Sequence, residues 1–587
     1  MHDLLIKGAS LIDGTGAAPR VADVAIANGR IVEIGSISTP AKETIAAHGA
    51  WLTPGFIDIH THYDGQASWD ETFSPSIHHG VTTVVMGNCG VGFAPLARGQ
   101  QAKLIELMEG VEDIPGAALA EGVAFNWQSF PEFMAALDAM PHTLDFACLV
   151  PHDPLRMLVM DERAREVASP DDISAMRDLL REALQAGAIG FSTGRSDNHR
   201  TSRGQETPAA EASSAELAGI AQAFHGLSHG VVQVVSDFDL MRGLALSPEQ
   251  QAAQFNAEFD VVEQLAQAAG RPLSMTWLQR DPGGQQYIAM AQRLEAAVAR
   301  GLPLYLQTAA RGIGVITGLD ASFHAFIGFP GYKEIAHLPR AERAAAMRDP
   351  ARRARILAEK SERMAGDGSS VPPLVDILLA RIELISARMF PLGDAPDYAP
   401  SVQTSIYARA KQRGCTALEA LYDYFSEGDG SHLIYFPIFN YNEGNLDTVQ
   451  SMLAHPRALL GLSDAGAHVG TVCDASFSTF MLTHWVAKGL MTAEHVVQML
   501  TQRQAQYLGL SDRGVIAVGM KADINLIDPT QLALPKPQLL RDLPAGGKRF
   551  LQTASGYAGT WVAGQCVQRN GVITSARPGR LVRAASL

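Results

Sequence analysis

Apolar and polar positions follow two different rhythms along this chain, and the change of rhythm divides it. Near the N-terminus the short apolar runs Leu4-Leu5-Ile6, Val24-Ala25-Ile26 and Ile31-Val32-Glu33-Ile34 are punctuated by Gly14, Gly16, Gly29 and Gly35. Such spacing predicts a small β-unit with tight turns. The C-terminus repeats it in Ala522-Asp523-Ile524-Asn525-Leu526-Ile527, in Gly559-Thr560-Trp561-Val562-Ala563-Gly564 and in Gly571-Val572-Ile573. Two such ends predict one β-sandwich assembled from residues 1–54 and 508–587. Between them, β-rich runs alternate with Ala/Glu/Leu-rich helical runs, as βα units around a parallel sheet do. Strands are expected near 57–62, 81–88, 144–151, 188–193, 231–236, 272–277, 302–307 and 458–463. That pattern predicts an α/β fold, a (β/α)8 TIM-like barrel over 55–507. A helix over 171–186 is marked by Asp171-Asp172 at its start and Gly187 after its end. Residues 433–439 read as a surplus strand, and 311–432 is too long for a βα loop, so it is taken as an insertion that helps to shape the site.

Composition narrows the class. With 587 residues, 47% of them hydrophobic, the chain can bury a large core. Lys+Arg total 47 against 61 Asp+Glu, a formal net charge of −14, which argues against nucleic acid or an anionic membrane as the main partner and for a small-molecule substrate. The five cysteines, Cys89, Cys148, Cys415, Cys473 and Cys566, are scattered and form no Cys-x-x-Cys, as in a reducing compartment. The start carries no basic region followed by a long apolar run, and no stretch reaches the length of a membrane span. A cytoplasmic location is expected, with a homo-oligomer open.

In a (β/α)8 barrel the active site lies at the C-terminal ends of the strands, so a polar residue counts chiefly when it follows one. In Gly55-Phe56-Ile57-Asp58-Ile59-His60-Thr61-His62, strand alternation puts Asp58, His60 and His62 on one face. Two neighbouring imidazoles there make half of a metal site. Cys89 follows the second strand; beside a divalent ion it would ionise to a thiolate, while a buried small hydrophobe is the commoner role. Asp464, in Ser463-Asp464-Ala465-Gly466-Ala467-His468, follows the last strand. A carboxylate there can ligate a metal, take a proton from water and pass it to a leaving nitrogen; alternatively it is a helix N-cap. His152 and His199 also follow strands. His225 and His229 sit at i, i+4 spacing but precede a strand, which puts them on the opposite rim in structural roles.

The segments Gly55 to Asp64 and His79-Gly80-Val81-Thr82-Thr83-Val84-Val85-Met86-Gly87-Asn88-Cys89-Gly90-Val91-Gly92-Phe93-Ala94-Pro95 resemble the amidohydrolase superfamily, and specifically its N-acyl-D-amino-acid deacylase (D-aminoacylase) branch. Pro151-His152-Asp153-Pro154-Leu155-Arg156, residues 187–194, Asp464 and Gly519-Met520-Lys521-Ala522-Asp523 extend the likeness, and the middle diverges. The resemblance implies a zinc enzyme with a distorted barrel and a two-piece β-sandwich, its metal surrounded by His60, His62, Cys89 and Asp464. The family also places a histidine after each of the fifth and sixth strands. Here those places hold Ser236-Asp237 and Thr276-Trp277-Leu278-Gln279. Three arrangements follow: Asp237 as an oxygen ligand, His152 or His199 moving in, or a single metal with the second optional; the single metal is favoured. His468 is a further contact candidate.

The expected function is metal-dependent hydrolysis of a C–N amide bond in a small molecule, most simply an N-acyl (D-)amino acid, with Asp464 as general base and acid. Arg195 and Arg388 are the candidates to hold its carboxylate in a bidentate fork. The alternatives are a hydrolase of another apolar amide, cyclic amide or carbamate, and a ligand-binding relative without catalysis. Trp277, Phe323, Phe326, Phe329 and Tyr332, with Phe390, Tyr435, Phe436 and Phe439, supply aromatics that can line a pocket or simply fill the core.

Overall fold

Eight apolar runs form the parallel strands β1 (Phe56–Asp58), β2 (Val81–Met86), β3 (Asp145–Pro151), β4 (Gly190–Arg195), β5 (Val231–Ser236), β6 (Leu273–Thr276), β7 (Leu304–Thr308) and β8 (Ala458–Leu460). The computed structural model describes residues 1–238, 243, 245–280, 284–364, 373–472 and 474–584, which leaves Cys473 outside it. The strands pair in chain order from β1 to β8. β2 and β3 are buried along their whole length, because helices cover one face and barrel packing the other. That two-sided burial is why their sequences read as continuous apolar runs. The seam between β8 and β1 is bridged just beyond the strands, where Thr61 pairs with Ala465 and the His62 N–H donates to the Ala465 carbonyl at 2.8 Å. The nearly closed barrel is thus tied at the level of the two histidines. The helix expected at 171–186 spans Pro170–Gln185, opened by a capping box between Ser169 and Asp172.

The two chain ends meet in one nine-stranded sheet. Strand 524–527 pairs antiparallel with 51–54, joining the C-terminal strands to the N-terminal ones. Leu4, Ile6, Val24, Ile26, Ile524 and Trp561 form its core. Gly55 then leads into β1: its N–H donates to the Asp523 carbonyl at 2.8 Å, and a Cβ there would lie 2.2 Å from Thr82 Oγ1. Only a glycine admits that approach.

Between β7 and β8 the chain leaves the barrel. Strands 313–317, 433–439 and 390–392 form a small antiparallel sheet, so the surplus strand at 433–439 is its centre. Phe326, Phe329, Tyr332 and Phe436 pack in a core that this segment owns, whereas Phe390 and Tyr435 join the main core. Most of the divergent aromatics therefore fill cores.

On the opposite rim, Asp145 at the start of β3 fastens the C-terminal segments to the barrel. Its Oδ2 accepts from Arg513 Nη1 at 2.5 Å and from Lys521 Nζ, and its Oδ1 accepts from the Arg580 N–H at 3.0 Å. Burial favours the neutral acid, but Lys521 and Arg513 outweigh it and hold Asp145 below the usual carboxylate range. Asp145→Ala would leave Arg513 and Lys521 with Asp512 and Asp523 alone and the Arg580 N–H without its acceptor, and is expected to cost about 1–3 kcal/mol. Chemical denaturation reads this as a lowered midpoint; an unchanged midpoint would mean that the junction adds no stability.

Candidate metal centre and cleft

His60 and His62 extend from β1, Cys89 sits in the turn after β2, and Asp464 follows β8. One donor atom from each of His60, His62 and Cys89 lies within 4.8 Å of the others. His60 Nε2 is 3.2 Å from Cys89 Sγ and 3.4 Å from Asp464 Oδ1, and His62 Nε2 is 3.8 Å from the same oxygen. Two imidazole nitrogens, a sulfur and a carboxylate thus face one point, and all but Asp464 are buried. The backbone is bent to achieve this: Cys89, Leu462, Asp464 and His468 all have φ between 48° and 59°, left-handed values that cost a non-glycine residue about 1–3 kcal/mol each. The Cys89 turn is held by Gln233 of β5, whose Oε1 accepts the Cys89 N–H at 2.8 Å, and by Ser192 of β4, whose Oγ accepts the Gly90 N–H at 3.1 Å.

The His60 imidazole is aimed from behind. His60 Nδ1 donates to Gln307 Oε1 at 2.7 Å; the Gln307 amide is itself oriented by donating from Nε2 to Ser274 Oγ at 2.8 Å, and Ser274 meets Tyr507 OH at 2.8 Å. This relay through the barrel interior fixes the tautomer that leaves His60 Nε2 unprotonated. His62 Nδ1 lies 3.3 Å from Glu112 Oε1, and His468 Nε2 lies 3.6 Å from Glu112 Oε2. Burial lowers the His60 pKa to about 4 and that of His62 well below its usual value, so both are neutral donors near neutral pH. Burial pushes the Cys89 thiol up, and it raises Glu112 and Asp464 as well. Before this cluster opens a cleft of ≈ 210 Å³.

Residues 43–568 match the family described as Amidohydrolase family. The chain belongs to that family. The D-aminoacylase of Alcaligenes xylosoxydans xylosoxydans is 40% identical over 193 residues, 33% of this chain and 37% of that protein. The N-acyl-D-aspartate deacylase of the same organism is 42% identical over 193 residues, again 33% of this chain and 36% of that one. The chain thus aligns with little more than a third of the length of these curated relatives. The N-acyl-D-glutamate deacylase of Bordetella bronchiseptica, solved with zinc and a phosphonate inhibitor, has a TM-score of 0.63 at 24% identity, over 99% of this chain and 100% of that one. At that identity the likeness concerns the fold. The branch named from the sequence motifs is the one to which these relatives belong.

In this amidohydrolase several residues that follow strands point elsewhere. His152 is locked between Thr193 Oγ1 at 2.9 Å and Glu216 Oε1 at 3.0 Å, with Arg156 neutralising the same glutamate. Asp237 does not line the cleft: its carboxylate accepts from Ser196 Oγ and from the Asn198 N–H at 3.3 Å, in the loop that carries His199 into the cleft. Arg195 is spent on Glu258 in a fork of 2.7 and 2.9 Å, and Arg388 donates to the Pro437 and Ile438 carbonyls at 2.8 Å each. Neither arginine lines the cleft. His199 and His468 do, while His225 and His229 contact the Ala268 and Leu184 carbonyls, outside it.

Glu112 and Gln307 are site residues that the sequence pattern did not yield. Gln307 stands on β7, but an amide carries no metal signature. Glu112 ends the helix Gln101–Glu112 outside the barrel strands, where the helix dipole disfavours a carboxylate. For Gln307→Leu, metal affinity is expected to fall about 10–100-fold with the fold intact, since His60 loses the partner that sets its tautomer. Chelator competition measures this; an unaltered affinity would detach the relay from the metal centre.

Proposed function

We propose that this chain hydrolyses a C–N amide bond of a small molecule, using a single zinc ion held by His60, His62, Cys89 and Asp464, with Asp464 also as the proton carrier. The observation that carries the reading is the convergence of both Nε2 atoms and the Cys89 sulfur with Asp464 Oδ1 at the mouth of the barrel. The donor set suits zinc, which takes neutral imidazole, thiolate and carboxylate in one four-coordinate site. When bound, the ion supplies Lewis acidity that polarises the amide carbonyl and acidifies water.

The protein's own part is positional and proton-carrying. Gln307 holds the His60 imidazole, the Glu112 carboxylate lies 3.3 Å from His62 Nδ1, and the walls of the cleft keep bulk water from the reacting carbonyl. Asp464 takes a proton from the attacking water as its oxygen bonds to the carbonyl carbon. It then delivers that proton to the nitrogen as the C–N bond breaks, so a carboxylic acid and an amine leave. The raised pKa of Asp464, caused by burial, suits a group that must both accept and return a proton. A single ion is favoured because Val235 and Thr276, at the ends of β5 and β6, line the cleft without offering an imidazole, which leaves His199 and His468 as the other imidazoles there. The relatives' names suggest acyl amino acids as substrates.

Metal analysis of the purified protein is expected to give one zinc per chain; two would overturn the single-ion reading. His60→Ala should strip the metal and abolish turnover, and a variant that kept full metal and activity would remove the centre as drawn. Asp464→Asn retains an oxygen donor but cannot carry the proton. It should fold, keep ligand affinity and lose turnover by on the order of a hundredfold or more. Near-normal turnover in that variant would return Asp464 to the role of a loop cap, in which asparagine serves as well.

A further inference from the structure

The cleft in front of His60 and His62 has largely apolar walls, with its acids beside the histidines. Val235 and Leu278 line it from the β5 and β6 side; Ile313, Val315, Ile438 and Phe439 line it from the sheet of the segment between β7 and β8. Its ionisable residues besides the histidines and Cys89 are Glu112, Asp113 and Asp464. Among the described residues it has no lysine or arginine. The guanidinium groups around its rim are engaged elsewhere. Arg195 pairs with Glu258, Arg388 caps carbonyls of strand 433–439, and Arg280 donates to the Ser236 carbonyl at 2.9 Å. Arg311 binds Asp474 at 2.9 Å with its guanidinium 3.6 Å from the Tyr398 ring centroid.

We infer that the cleft takes an amide with neutral, apolar substituents and discriminates against one that bears a free carboxylate. The inference rests on the hydrolase reading for the bond that reacts, and it departs from the acyl amino acids named by the relatives. Away from the ion itself, a substrate carboxylate would lose its hydration against aliphatic walls and find no described lysine or arginine lining the cleft to pair with. A phenyl or branched alkyl group in the same place loses nothing by leaving water and gains contact with Ile313, Val315, Ile438 and Phe439.

The test uses the full-length zinc-loaded protein and a matched set: N-acetyl-D-phenylalanine, its L enantiomer, and N-acetyl-2-phenylethylamine, which keeps the amide and the ring but lacks the carboxylate. The neutral amide should show at least about a tenfold higher kcat/KM than either acid, and should bind Asp464→Asn protein at least about tenfold more tightly in calorimetry. Leu278→Lys, which places a cation on the wall, should shrink that preference about tenfold or more. Arg242 lies outside the described residues, so Arg242→Ala is run in parallel. Acid turnover equal to or above that of the neutral amide, whether or not it depends on Arg242, would overturn the inference. Tighter binding of the neutral compound with no turnover of any of the three would uphold the charge preference and overturn the hydrolase reading instead.

Discussion

The arrangement depends on keeping two imidazoles neutral and aimed while they are sealed at the mouth of a barrel. Burial alone achieves the first, because a charged ring in that position would lose its hydration without compensation. Burial cannot achieve the second. Each ring has two nitrogens, and only a partner on one of them decides which is left to face the centre. His60 has Gln307, backed by Ser274 and Tyr507; beside His62 stands the Glu112 carboxylate, 3.3 Å from Nδ1 and not hydrogen-bonded to it. These partners come from β7, β6, a C-terminal helix and a helix between β2 and β3, so the orientation of two rings draws on much of the barrel. A side chain placed that way does not depend on loop order, and the same reasoning explains why the strained turns at Cys89 and Asp464 are each held by interior hydrogen bonds or by the seam with β1.

The opposite rim has a different task. There Asp145, Arg513, Lys521 and Asp523 bind the C-terminal segments to β3, and Gly55 lets the two-ended sheet run directly into β1. Because the entry to β1 is fixed by hydrogen bonds to the C-terminal sheet, the position of His60 and His62 a few residues later is fixed as well. Stability chemistry at one end of the strands and donor chemistry at the other are joined through three residues of β1. Such a division is general for (β/α)8 barrels.

Much of this was readable from the pattern of residues, and the misreadings have physical causes. All eight strands lie where apolar runs were bounded by turn residues, since two-sided burial leaves a strong signal. The rule that chemistry follows strand ends brought His60, His62, Cys89 and Asp464 together, and placed His199 and His468 in the same cleft. It also admitted His152, Arg195 and Asp237, because position after a strand does not say whether a side chain turns inward to the cleft or outward to the helices. His152 and Arg195 turn to Glu216 and Glu258, both contributed by helices packed outside the barrel. No periodicity in one sequence reveals such pairings. Glu112 was missed for a related reason: its meaning comes from a three-dimensional meeting with His62 and His468, not from its place in a helix.

The segment between β7 and β8 shows how a barrel of this kind can change what it accepts while leaving its donors in place. Its own core of Phe326, Phe329, Tyr332, Tyr422 and Phe425 makes it self-supporting, so its small sheet can present Ile313, Val315, Ile438 and Phe439 to the cleft as a firm wall. The partners that aim His60 come from β7, β6 and a C-terminal helix, not from that small sheet. The wall can therefore vary with little penalty to the metal centre, whereas Gln307 and Glu112 cannot. At the ends of β5 and β6, Val235, Thr276 and Leu278 likewise line the cleft, so these strand ends contribute wall there and no nitrogen donor.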